Sequence, residues 1–67
     1  MTRIPVSSSR MRSVGWEDNV LEIEFHNGQV YQYFNVSYSE YNSFINSSSL
    51  GHELSILDKK HPYKPVR

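Results

Sequence analysis

The chain has 67 residues, no cysteine, 37% hydrophobic residues and 13% aromatic ones. That length leaves room for one domain at most, which must bury nearly all of its large apolar side chains, and without thiols neither a disulfide framework nor a thiolate zinc site can reinforce the core. Seven Lys/Arg and seven Asp/Glu cancel, but unevenly: Arg3, Arg10 and Arg12 precede residue 13, Lys59, Lys60, Lys64 and Arg67 follow residue 58, and every acid lies between.

Residues 1–5 carry no pattern, and Pro5 disfavours both a helix and a central strand. Order is therefore expected from Val6, with one domain over residues 6–64 and flexible termini at 1–5 and 65–67. Met11, Val14 and Trp16 fit a bent first strand with Gly15 as a bulge position. Trp16 is the only indole, and its expected place is the core at the edge of the sheet, with base stacking as the alternative. Glu17-Asp18-Asn19 has turn chemistry.

Residues 20–33 read as a β-hairpin. Leu21, Ile23 and Phe25 alternate with Glu22 and Glu24, and Asn27-Gly28 is followed by the β-prone residues Val30 to Phe34. A two-residue type I′ turn at Asn27-Gly28 sets Phe25 opposite Val30 and Leu21 opposite Phe34. On this reading Leu21, Ile23, Phe25, Val30 and Phe34 share an apolar face, whereas Glu22, Glu24, Tyr31 and Tyr33 share the other.

Ser37-Tyr38-Ser39-Glu40 matches a capping box, with Ser37 as N-cap and the Glu40 carboxylate reaching back to the Ser37 amide. Tyr41, Phe44 and Ile45 then form an apolar stripe that should cover the sheet. Leu50, Leu54 and Leu57 predict a second short helix over residues 50–59. Pro62 and Pro65 keep the tail extended, with Tyr63 free to fold back.

The usual signs of catalysis are missing. His26, His52 and His61 lack metal-ligand spacing, no serine sits in a G-x-S-x-G elbow, and neither a Walker lysine nor a G-x-G-x-x-G is present. Glu22 and Glu24 read as solvated strand carboxylates. No metal, cofactor or small-molecule substrate is expected, and the chain reads as no enzyme. No apolar run approaches the roughly 20 residues of a membrane span and no signal peptide opens the chain, so a soluble cytoplasmic protein is expected. Tyr31 and Tyr33, at i and i+2 of a strand, would project from one face roughly 6.5–7 Å apart, a spacing suited to stacking unpaired bases or to packing under another part of the fold.

The succession Val6-x-Ser8-Ser9, Phe25-x-x-Gly28-x-x-Tyr31-x-Tyr33-x-x-Val36 and Ser49-x-Gly51 with Ile56 following resembles the KTSC domain. That family is named for its place at the C-terminus of some lysyl-tRNA synthetases and also occurs as free-standing small bacterial and phage-type proteins. The resemblance spans residues 6–63 and implies RNA binding centred on Tyr31-Gln32-Tyr33. Three positions depart from the pattern: Ser37 replaces a common proline, Trp16 a more usual tyrosine, and Glu53 stands close to where an aromatic often follows.

The expected fold is α+β, a three-stranded antiparallel meander with one or two short helices on one face. The expected function is a small non-catalytic binding module with RNA as first partner. Tyr31 and Tyr33 would stack bases, and Arg10, Arg12, Lys59, Lys60 and Lys64 would meet phosphates if the termini converge. The alternative is a protein-interaction or assembly module whose tyrosine face meets another chain or a second copy.

Overall fold

In the computed structural model, which describes residues 1–67, five antiparallel strands form one sheet in chain order: β1 (Ile4–Pro5), β2 (Met11–Glu17), β3 (Val20–Phe25), β4 (Val30–Phe34) and β5 (Tyr63–Pro65). Two helices, α1 (Tyr38–Ile45) and α2 (Leu50–Lys60), are inserted between β4 and β5. The α+β class therefore holds, and the three expected strands are the middle of a wider sheet. β1 lies in the N-terminal segment expected to be loose, and β5 in the tail expected to be extended, of which only Pro65 falls within the expected flexible end. Ile4 and Pro5 pair with Val14 and Ser13. Beyond β5, Val30 exchanges backbone hydrogen bonds with Val66 and Arg67. Prolines in both outer strands suit edges, where a missing N–H leaves no gap in the ladder.

The type I′ turn expected at Asn27-Gly28 lies instead in the preceding hairpin. Asp18 and Asn19 both have positive φ, 49° and 65°, and Glu17 pairs with Val20, so the type I′ turn joins β2 to β3. The β3–β4 connection has one residue more. The Gly28 amide donates to the Phe25 carbonyl, the Phe25 amide to the Gln29 carbonyl, and Gly28 alone has positive φ, +89°. This is a three-residue loop, a turn closed by a left-handed glycine.

One extra residue inverts β4. Leu21 pairs with Tyr33 and Ile23 with Tyr31, while Glu22 faces Gln32 and Glu24 faces Val30. A one-residue slip moves every side chain to the other face, so the pairing expected from an Asn27-Gly28 I′ turn is corrected. Tyr31 and Tyr33 lie on the helix-covered face, and Val30 and Phe34 lie opposite. The irregularity in β2 falls between Met11 and Ser13 rather than at Gly15.

The core joins Met11, Val14, Leu21, Ile23 and Tyr33 from the sheet to Val36, Phe44, Leu54 and Leu57 from the helical layer. Each fully buried aliphatic there contributes about 1.5–3 kcal/mol relative to exposure. Ser37 caps α1 by accepting from the Glu40 amide at 3.1 Å. The reciprocal half of the capping box is absent, because the Glu40 carboxylate turns instead to His61 and Lys60 at 2.8 and 3.3 Å. That contact ties the start of α1 to the end of α2. Trp16 is half-buried, its indole N–H donating to the Val36 carbonyl at 2.7 Å.

Candidate functional site

Where β4, β5, the β3–β4 loop and α2 meet, they leave a cleft of about 430 Å³. Its floor is aromatic because strand pairing stacks residues of like parity. Tyr63 pairs with Tyr33 on the neighbouring strand and lies diagonal to Tyr31, with ring centroids 5.0 and 5.8 Å away respectively. Phe25 meets Tyr31 edge to face at 5.3 Å, an arrangement that suits the ring quadrupoles. His26, Asn27 and Gln29 line the loop side, and Arg10 and Asp58 complete the wall.

The three tyrosines differ in access. Tyr33 is 1% exposed, and its hydroxyl donates to Asp58 Oδ1 at 2.6 Å. Burial, then the adjacent Asp58 carboxylate, holds its phenol far above the usual tyrosine range. The expectation that Tyr33 stacks a base is therefore corrected, since its ring faces are packed in the core. Tyr31 is half-buried and Tyr63 exposed, so the accessible pair is Tyr31 with Tyr63. Sequence reasoning placed Tyr63 in a tail that folds back without giving it a binding role.

Arg10 stands at the cleft mouth with donors to spare. Its closest partners are the Gly51 carbonyl and Ser55 Oγ, both at 3.4 Å, and Asp58 Oδ2 at 4.0 Å, all long for hydrogen bonds. The Arg10 and Met11 amides both donate to Ser8 Oγ, at 3.2 and 3.3 Å, which fixes the backbone that carries the guanidinium. His26 Nε2 lies 2.7 Å from the Ser8 carbonyl. A carbonyl only accepts, so this nitrogen carries the proton.

The other expected cations do not converge on the tyrosines. Arg12 lies against the His26 carbonyl at 3.3 Å and, with Arg67, shares Glu24 at 4.0 and 3.9 Å. Lys64 reaches over Phe34, on the opposite sheet face, at 5.9 Å. Lys59 and Lys60 line a separate hollow on the outer surface of α2 with His52, Ser55 and Ile56. Of the five cations, then, Arg10 lines the cleft, Arg12 touches its rim, and the three lysines lie elsewhere. Arg67 and Asp58 were not anticipated. No sequence signal marks Asp58 as a partner of Tyr33, since the two are 25 positions apart.

The carboxylates of β3 are not the solvated pair expected. Glu22 accepts from Arg3 at 2.9 Å and from Gln32 at 2.8 Å. Glu24 accepts from the Ser13 hydroxyl at 2.8 Å, a bond that, with Arg3, Arg12 and Arg67 nearby, holds its carboxyl below the usual range. Both side chains are largely covered, 13% and 15% exposed. Residues from the two ends of the chain thus close the outer face of the sheet, and the cleft on the helix side is left as the aromatic concavity. No group of three or more His, Asp or Glu side chains is placed to hold a metal ion, and no helix is long and apolar enough to cross a membrane.

The family model of the KTSC domain matches residues 7–54, a span that contains Arg10, Tyr31 and Tyr33 but stops short of Asp58 and Tyr63. An uncharacterised protein of Stutzerimonas stutzeri is 32% identical over 66 residues, covering 96% of this chain and 93% of its own length. The crystal structure of a KTSC domain protein from Yersinia pestis is similar with a TM-score of 0.91 at 33% identity, covering 98% of this chain and 97% of that one.

Proposed function

This chain belongs to the KTSC domain family, and from that premise we propose that it is a small non-catalytic binding module whose tyrosine cleft takes an unpaired base of single-stranded RNA. The observation that carries the reading is an accessible aromatic pair, Tyr31 and Tyr63, set in a concavity with an under-engaged arginine at its mouth. An exposed tyrosine face stacks any base with a worth of about 1–3 kcal/mol. Arg12 and Arg67, sharing a single carboxylate at long range, supply positive charge beside the loop for flanking phosphates.

Binding of labelled single-stranded RNA, followed by fluorescence anisotropy, tests this. Affinity falls with salt at a slope of about −0.7 per phosphate contacted, and Tyr63→Ala weakens it by roughly tenfold or more while leaving the fold intact. Salt-independent or absent binding contradicts the proposal. The second reading, a protein-interaction module, draws on a different surface. Trp16, Tyr38 and Tyr41 cluster with centroids 5.4–6.2 Å apart, and Tyr38 is 59% exposed. That reading expects RNA-independent association that is lost on Tyr38→Ala.

A further inference from the structure

Within the cleft, Arg10 Nη2 and Asp58 Oδ2 stand side by side, 4.0 Å apart, a donor next to an acceptor at the edge of an aromatic floor. We propose that this pair reads the base and selects guanine, an inference that rests on the single-strand reading above. Asp58 only accepts when ionised. Its Oδ1 already takes the Tyr33 hydroxyl, which restricts the carboxylate plane, while Asp58 lines the cleft and Oδ2 stands 4.0 Å from Arg10 Nη2. Among the four RNA bases, guanine alone presents on its Watson–Crick edge two adjacent N–H donors followed by a carbonyl acceptor. The donors suit a carboxylate and the O6 acceptor suits the neighbouring guanidinium. Adenine offers one donor and one acceptor, and cytosine and uracil one donor and two acceptors, so none of the three gives the carboxylate its second hydrogen bond.

The supporting frame is rigid where reading requires it. Asp58 is carried on α2, and Arg10 on the backbone pinned by Ser8. The Arg10 contacts a base would displace, to Gly51 and Ser55, are long and cost little to exchange. A hydrogen bond to a charged group is stronger than one between neutral groups, so one additional bond to Asp58 gives guanine roughly a tenfold or greater advantage.

The experiment measures anisotropy of short uridine oligomers carrying one central guanosine, adenosine, cytidine or uridine, with guanosine monophosphate as a competitor. Guanosine is expected to bind roughly tenfold tighter than the other three. Asp58→Asn, which keeps an acceptor for Tyr33 but presents an amide to the ligand, removes that preference, whereas Tyr63→Ala weakens all four oligomers alike. Equal binding of the four oligomers overturns guanine selection and leaves the single-strand reading standing. Absence of binding to any of them overturns both. A monophosphate that competes as well as the guanosine oligomer shows a free nucleotide to be the occupant and overturns the single-strand source.

Discussion

Tyr33 shows how one hydroxyl reconciles a tyrosine with a core position. Its ring packs among aliphatics while its O–H reaches Asp58 at the cleft wall. Tyr33→Phe removes a hydrogen bond to a charged group and leaves Asp58 partly solvated, so a loss of about 1–2 kcal/mol is expected in chemical denaturation. The pH dependence follows from the raised phenol. A folded-state value above the ordinary 10.0 leaves stability intact below that pH and erodes it as pH rises further, because the unfolded chain ionises first. The Phe variant lacks that part of the alkaline loss. Gly15 illustrates a different constraint. A Cβ there would sit 2.5 Å from the Thr2 carbonyl and 3.0 Å from Arg3 Cγ, so Gly15→Ala must push the N-terminal segment away. A cost of about 1–3 kcal/mol is expected, together with faster amide exchange at Ile4 and its partner residues Ser13 and Val14. The sequence pointed to a special role for this glycine but named a bulge, because the segment that approaches it was read as frayed.

At the scale of elements, β3, both helices and the Ser37 cap were legible, because each is marked by local periodicity or capping chemistry. The face of β4 was not. Val30 to Phe34 alternates large residues on both sides, so either parity offers a plausible core, and only the length of the preceding loop decides. Asn27-Gly28 serves a two-residue I′ turn or the end of a three-residue loop, and nothing local distinguishes them. The distinction comes from burial: in the observed register Tyr33 finds Asp58, and Val30 is covered by the chain's end at 2% exposure. A pair of substitutions tests the register directly. Tyr33→Ala opens a large cavity and is expected to cost about 3–5 kcal/mol, whereas Phe34→Ala, on the face without helices, costs under about 1.5. The opposite order in denaturant midpoints would restore the I′ register. The candidate site inherited the same error, since half of the expected stacking pair went inward and its replacement, Tyr63, comes from β5, a strand without a sequence pattern of its own.

Across the whole molecule, the positive charge at the two ends of the sequence is spent chiefly on the acidic middle. Arg3 holds Glu22, Arg12 and Arg67 flank Glu24, Arg10 approaches Asp58, and Lys60 with His61 holds Glu40. The ends are thereby fastened to the sheet and helices, a useful device for a chain too short to have much core. The same arrangement makes stability acid-sensitive in a way that can be localised. The His61 hydrogen bond, then Lys60, lowers the Glu40 carboxyl below its ordinary value of 4.5. A depressed folded-state value means the carboxylate contributes fully above the unfolded value and loses that contribution as pH falls through the lower folded one. Glu40→Gln keeps the size of the side chain and abolishes the charge. At pH 6 the variant is expected to be less stable than wild type by up to about 1 kcal/mol, the discount for solvent exposure included. The gap closes as pH drops below 4.5, where wild type comes to carry a neutral group as well. Thermal melts of both proteins across that range decide the matter: two acid limbs that stay parallel would mean that the junction of α1 with the end of α2 is held by packing alone.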